Sequence, residues 1–414
     1  MSQLSRRLLA TLAVCPTLLI AAIAASADAS PPSTWVELKS LPDTGRMPVF
    51  AIAVDPVNDQ ALIAGGGQGG LYRSADGGAA WSQVQRGNAA VLTIAYSPFN
   101  PTLVLAGTRG GGVSISTDGG RSWSAAAGLE GRAVRAFGFA RTVIVAATDR
   151  GVYSSDTGAT WTSIGLSTSS IDAIAVAAVN PPVRLVAGGD SGPSGTVPLW
   201  TSADAGATWT ALQPAISGTI VTRLAAGPLP PNGTVRPLVL GTNTGLFISQ
   251  DNGTTFTSLS SGALLPSTDY TQVDFTAAHF DRFYVASDGG GGESGGVWAT
   301  GDSGQHFSSL LPPLQSVTAL AVSGDEQPIL YVATFRPSDH AVFLWSYHDT
   351  GGTPQQPVGV TPTASGARPH SSQPSGFDLF KWLGSAQAPY IALGGIALAV
   401  LLLAVVSQIR SRRR

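Results

Sequence analysis

One cysteine stands in the 414 residues, Cys15, and it falls in the N-terminal segment. The rest of the chain therefore has no disulfide, no thiol nucleophile and no thiolate metal ligand. Histidine is sparse as well. His279, His306, His340, His348 and His370 are scattered without ligand spacing, so no metal is expected. No G-x-S-x-G or Walker A phrase occurs, and no cofactor is implied. Lysine is confined to Lys39 and Lys381, against abundant arginine and heavy use of glycine and alanine, which points to a GC-rich bacterial genome.

Long apolar runs are absent except at the two ends. Met1–Ala27 joins Arg6-Arg7 to the run LLATLAVCPTLLIAAIAA and closes on Ala25-Ser26-Ala27, the order of a secretory signal peptide (1–27). The phenylalanine expected after a twin-arginine pair is missing, which favours Sec export. Val14 is too large for the residue before a lipidated Cys15. Tyr390–Ile409 carries no charge and is long enough to cross a bilayer, predicting one C-terminal transmembrane helix over 389–409. Arg410, Arg412, Arg413 and Arg414 form a basic tail (410–414), while Lys381 alone precedes the span. The positive-inside rule then puts the tail in the cytoplasm and the body outside, as a single-pass cell-membrane protein. Residues 349–376, rich in Pro, Ser and Thr, read as an unstructured stalk. The segment 377–388, with Phe377, Phe380, Trp382 and Leu383 beside Asp378 and Lys381, suits a membrane surface.

Removing the two arginines of the leader and the four of the tail from 23 basic residues leaves 17 against 25 acidic ones, a net charge of about −8 outside the membrane. Nucleic acid is an unsuitable partner for such a body.

What is abundant is one phrase. It reads SADGGAAW (Ser74–Trp81), STDGGRSW (Ser116–Trp123), SSDTGATW (Ser154–Trp161), SADAGATW (Ser202–Trp209), SQDNGTTF (Ser249–Phe256) and TGDSGQHF (Thr300–Phe307). A period of roughly 40–50 residues marks one supersecondary unit repeated around an axis or along a solenoid. Alternating strands such as LYRS and VSIS precede each phrase, and WSQV or WTSI follow, so each phrase is the hairpin between two strands. Asp76, Asp118, Asp156, Asp204, Asp251 and Asp302 are expected to hold the turn by side-chain hydrogen bonds, with Ser74, Ser116, Ser154, Ser202 and Ser249 beside them. Trp81, Trp123, Trp161, Trp209, Phe256 and Phe307 are expected to bury against a neighbouring unit.

Two more strands precede each hairpin, as in VFAIAVDP and ALIAGG. Four strands per repeat make the blade of a β-propeller. Units begin near 49, 91, 133, 171, 220, 270 and 317, which predicts an all-β, seven-bladed β-propeller over 33–348. The seventh unit ends on a degenerate HDTGG and lacks its last strand. TWVELKSL (34–41) has the look of that missing strand, so N- and C-terminal strands are expected to close the ring and remove both sheet edges.

The phrase resembles the Asp-box, or bacterial-neuraminidase repeat, S-x-D-x-G-x-T-W, over roughly residues 35–349; only the sixth copy replaces its serine, with Thr300. Sialidases carry this repeat, and their chemistry needs three arginines for a carboxylate, a Tyr–Glu nucleophile pair and an Asp acid/base. Arg46-Met47-Pro48 is similar to the R-I-P that carries the first of those arginines. Beyond Glu37 and Glu326, which fall in a strand and an opposite-face hairpin, the glutamates of the exported part are Glu130 and Glu293, and neither has a Tyr partner in sequence. Xyloglucan-cleaving enzymes of similar blade pattern use two propellers. Phrases such as GTRGGGVSISTDGGRSW also look like those of photosystem II assembly-factor and sortilin-type receptor propellers, which bind proteins or peptides.

In such a fold, the loops from fourth strand to next blade and from second to third strand share one face. They contain Arg46, Arg86, Arg109, Arg132 and Arg150 from the entrance of blade 1 through blade 3. Blades 4 to 7 supply Asp190, Asp269, Asp288, Glu293 and Asp339, with Arg336 the exception. The expectation is a surface-displayed, non-enzymatic scaffold that binds an extracytoplasmic protein or polysaccharide through the arginine-bearing loops. The alternative is a sialidase-like or other glycoside hydrolase on the same face; no catalytic residues are assigned.

Overall fold

The computed structural model describes residues 33–44, 46–190, 196–213, 216, 218–259, 270–289 and 294–351. The expected leader, stalk beyond Gly351, juxtamembrane segment, 389–409 span and tail lie outside the described residues, as do Asp269 and Glu293. Among the described residues no helix is long and apolar enough to cross a membrane.

Seven four-stranded antiparallel sheets make the body, a seven-bladed propeller. Six take four consecutive strands in order. Their first strands are Ala51–Asp55, Val91–Ser97, Val134–Phe139, Ile171–Ala178, Val221–Ala226 and Gln272–Phe275. The seventh sheet uses Val317–Val322, Ile329–Arg336 and Ala341–His348, and its outermost strand is Trp35–Glu37. Trp35 pairs with Tyr347, Val36 with Ser346 and Glu37 with Trp345. Trp35 Nε1 also donates to Leu310 O at 2.7 Å, and its ring lies 4.9 Å from that of Tyr347. The ring is closed by the earliest strand, so the last blade has no open outer edge of its own making.

Second strands read as near-continuous apolar runs, such as ALIAG and FYVAS, because neighbouring blades cover both of their faces. Leu62, Leu105, Val145, Leu185, Val239, Val285 and Val332 are fully shielded there. Seven apolar clusters result, each drawn from two adjacent sheets. Each fully buried aliphatic side chain contributes about 1.5–3 kcal/mol, which lets the fold stand without disulfides.

The repeated turn has a fixed internal wiring. In the first blade Ser74 Oγ donates to Asp76 Oδ1 at 2.7 Å and accepts from Gly78 N at 2.8 Å, while Asp76 Oδ1 accepts from Ala80 N at 2.9 Å. The same bonds recur around Ser116/Asp118, Ser202/Asp204, Ser249/Asp251 and Thr300/Asp302. Each turn glycine has positive φ and abuts the preceding blade: a Cβ on Gly120 would lie 2.2 Å from Ile63, and one on Gly206 would lie 2.3 Å from Ile164. Trp209 Nε1 reaches back to Ile164 O at 2.9 Å. These turns therefore fasten blade to blade, and only glycine fits their contact point.

The third copy departs from this wiring. Gly158 N bonds to Ser155 Oγ at 2.8 Å, not to Ser154, and the Asp156 carboxylate takes no part in the turn. The cause is Thr157. In the other five copies the residue before the glycine (Gly77, Gly119, Ala205, Asn252 or Ser303) has φ between 58° and 72°. A β-branched side chain is poorly tolerated there, so Thr157 keeps negative φ and the turn reforms on the next serine.

Candidate functional site

On one face of the ring, the link between second and third strands of each blade meets the entry to the next blade. Val91 N bonds to Gly66 O at 3.2 Å, Gly110 N to Arg132 O at 3.1 Å, and Gly151 N to Ser169 O at 2.8 Å. The repeated turns lie at the opposite ends of the strands, tied to the first hairpin of their own blade, as in Gly77 N to Gln60 O at 2.9 Å. The up-and-down course of the strands separates the two faces.

The loop face brings together Arg46, Arg109, Arg132 and Arg150. Arg109 backbone N donates to Ala90 O at 2.8 Å, and its guanidinium lies 5.9 Å from the Phe50 ring, four residues after Arg46. The Arg132 carbonyl holds the Arg109 loop through Gly110 N and Gly112 N, both at 3.1 Å. Asp149, next to Arg150, accepts Ala133 N at 3.0 Å and lies 4.0 Å from Arg132. Arg86 sits on the adjoining entry to blade 2. Arg46, Arg86, Arg109 and Arg150 are exposed and Arg132 is half-buried. Among the described residues Arg132 is the one member of the five with an ion pair.

The acidic sector is thinner than its sequence. Asp339 is held by Arg336 at 2.7 Å, which keeps its carboxyl down at about 2. Glu130, on the loop face, accepts Gly128 N with both oxygens at 3.0 Å, and backbone bonds hold its pKa below the usual range. It is a turn residue, not a protonated acid.

A second set of charges was not legible as a site. The first strands of blades 2, 3, 4, 5 and 7 each carry a bulge near their start. Bulges re-aim side chains, and here they direct polar groups onto the next blade. Arg135 pairs with Asp172 at 2.6 Å and bonds Ser170 Oγ. Arg223 Nε donates to Thr271 O, Thr271 Oγ1 to Val317 O at 2.9 Å, and Thr318 Oγ1 to Val49 O at 2.7 Å. Side chains thus link blade 3 to blade 4, and blade 5 through blades 6 and 7 to blade 1, near the loop face. Desolvation, opposed by Arg135, pushes Asp172 up to about 6, and desolvation likewise brings Arg223 down to about 10. The signal was present as V-R, I-D, V-T-R and V-T at the start of otherwise apolar first strands.

Inside the ring runs a cavity of about 440 Å³, lined by first strands of all seven blades. Arg223, Gln272, Asp274 and Arg236 face it. Asp274 Oδ2 accepts Val322 N at 3.1 Å across the boundary between blades 6 and 7, and burial raises its pKa to about 7. On the turn face the cavity opens into an apolar recess of about 560 Å³ walled by Phe99, Phe137, Phe139 and Phe275. Among the described residues no cluster of three His, Cys, Asp or Glu side chains could hold a metal.

No protein-family model matches the chain, and no curated protein matches it in sequence. Solved structures do match in fold. YCF48 from Cyanidioschyzon merolae is 15% identical with a TM-score of 0.52, covering 76% of this chain and 98% of its own. A structure of YCF48 bound to D1 peptide is 16% identical, TM-score 0.53, covering 78% and 98%. The extracellular domain of a hybrid two-component system from B. thetaiotaomicron is 15% identical, TM-score 0.54, covering 77% of this chain and 41% of that one. An ancestral GH74 enzyme is 15% identical at a TM-score of 0.48; the match covers 74% of this chain and 55% of the enzyme's length. At these identities the likeness is one of fold.

Proposed function

We propose that the chain is an exported propeller, anchored by its C-terminal segment with the propeller outside the membrane, whose loop face binds an acidic segment of a protein partner without catalysing a reaction. The repeated turns are, in this reading, Asp-boxes serving as structural staples. One observation carries the proposal: Arg46, Arg86, Arg109 and Arg150 are exposed in one sector of one face, and among the described residues none of the four forms an ion pair. Unpaired guanidinium groups on loops fixed by inter-blade hydrogen bonds present a preorganised basic patch, which favours acidic partners and speeds encounter. Binding of D1 peptide by YCF48, a propeller of similar fold, illustrates that such a body can hold a peptide.

A glycoside hydrolase is the second reading. Asp172 and Asp274, raised to about 6 and 7, are the acids that favour it. Against it, Asp172 is engaged by Arg135 and Asp274 by Val322 N, whereas glycoside cleavage needs two carboxyl groups flanking one bond.

The two readings separate in one experiment. Full-length protein and Arg109→Ala/Arg150→Ala are used to capture cell-envelope proteins at low and high salt, and are assayed in parallel on fluorogenic glycosides. A salt-sensitive protein partner lost from the double variant, with no turnover, supports the scaffold. Capture of a polysaccharide in its place would move the partner class. Turnover abolished by Arg46→Ala in folded protein would establish the hydrolase and end the proposal.

A further inference from the structure

The opposite mouth of the channel has its own chemistry. Arg236 precedes the second strand of blade 5 and donates from Nε to Gly227 O at 2.6 Å, from Nη1 to Val176 O at 3.2 Å and from Nη2 to Ala226 O at 3.3 Å. A guanidinium has five N–H donors, so two remain. Among the described residues no carboxylate pairs with it, and its pKa is lowered by burial alone. A half-buried cation without a counter-charge favours an anion beside it. A second guanidinium, that of Arg141, lies 5.1 Å from the ring of Phe99, which lines the recess. Asp274 also lines the recess, and below about pH 7 it is uncharged and carries a hydroxyl that can donate. Most of the remaining wall is apolar, with Phe137, Phe139, Ile174, Leu224 and Phe275, and Asn180 and Thr234 add two polar residues. A volume of about 560 Å³ falls in the range of about 300–1,000 Å³ typical of small-molecule sites.

We propose that this recess binds a small carboxylate with an aromatic or branched apolar body, the carboxylate meeting the free N–H groups of Arg236 and the body lying against Phe137, Phe139 and Phe275. A planar fork of donors matches a carboxylate and discriminates against a neutral isostere. The site lies on the turn face, across the ring from Arg109 and Arg150, so it stands or falls independently of the loop-face scaffold.

The test is calorimetric titration of the full-length protein with 4-phenylbutyrate and, separately, with 4-phenylbutyramide. The acid should bind about tenfold or more tighter than the amide, the scale of a charge-assisted hydrogen bond. Arg236→Gln should bring the acid down to the level of the amide. Because that variant also loses backbone bonds, Leu229→Asp provides a second arm. Leu229 lines the recess with 53% of its surface exposed, so the fold tolerates the change while a negative charge enters the mouth. It should weaken the acid several-fold and leave the amide unmoved. Absence of saturable binding, equal binding of acid and amide, or acid affinity unmoved in Leu229→Asp would overturn the proposal.

Discussion

Replacing Asp274 with asparagine isolates the cost of placing a carboxylate in the channel. The side chain bridges blades 6 and 7 through Val322 N, and an asparagine Oδ1 can accept the same bond. Burial raises the acid from 3.8 to about 7. The folded state therefore binds more protons than the unfolded state between about pH 4 and pH 7. Wild-type stability attributable to this group is present at pH 4, falls as pH rises through that window, and levels off above about pH 7. Three units at about 1.4 kcal/mol each give on the order of 4 kcal/mol. With an unfolding entropy of about 2.1 cal/mol/K per residue over roughly 310 residues, that is about 6 °C in Tm. The amide of Asp274→Asn has no charge to bury, so variant and wild type should melt together at pH 4. At pH 8 they should separate by about 6 °C, the variant higher. Calorimetry across pH 4–8 reads the difference, in which other titrating groups cancel. A difference that does not change with pH, or a variant less stable at pH 8, refutes the reasoning.

Thr157→Asn should let residue 157 take positive φ, return Gly158 N to Ser154 and bring Asp156 into the turn. Denaturant melts should show a stability gain of about 1 kcal/mol; unchanged stability would show that Thr157 is not the cause. Asp349→Ala should destabilise by about 3–5 kcal/mol in denaturant melts, because it strands Arg282 and the buried Tyr284 hydroxyl, both 2.6 Å from Asp349 Oδ2. At low pH the five turns wired through their carboxylates should fail together. Side-chain bonds from Thr208 hold Asp204 near 2; burial would raise Asp302, but bonds from His306 and Thr300 outweigh it and bring that carboxyl to about 2 as well. Stability from these groups is full above about pH 4 and lost as pH falls towards 2, visible by circular dichroism as a steep acid transition that Asp204→Asn makes shallower.

The fold was legible because its rules are local and repeated. An apolar second strand, a Ser-x-Asp-x-Gly turn and an aromatic residue recur at one period, and each copy confirms the register of the next. Strand closure was legible for the same reason. A unit lacking its fourth strand and an N-terminal strand lacking its partner imply each other, and Trp35 does pair with Tyr347. The third turn departs from expectation because its letters match the pattern while Thr157 cannot adopt the backbone angle the pattern needs. Asp349 shows the reverse: a worn copy of the phrase has turned its carboxylate inward, onto Arg282 and Tyr284 of the neighbouring blade.

Channel chemistry escaped the sequence because its parts are far apart in the chain and close only across blade boundaries. Arg135, Asp172, Arg223 and Asp274 each look like a stray polar residue in an apolar strand. Only ring closure shows that Arg223 and Asp274 face one cavity while Arg135 and Asp172 pair across a blade boundary. The loop arginines were easier to find, since loops announce exposure, but exposure alone does not make a site. What distinguishes Arg109 and Arg150 from Arg336 is the absence of an ion pair among the described residues, against a 2.7 Å bond from Arg336 to Asp339. The same criterion separates Arg236 from Arg135, whose partner Asp172 is 2.6 Å away. Whether a cation in this fold has a counter-charge depends largely on contacts across blades, as for Arg135 and Asp172, and no single stretch of sequence displays those contacts.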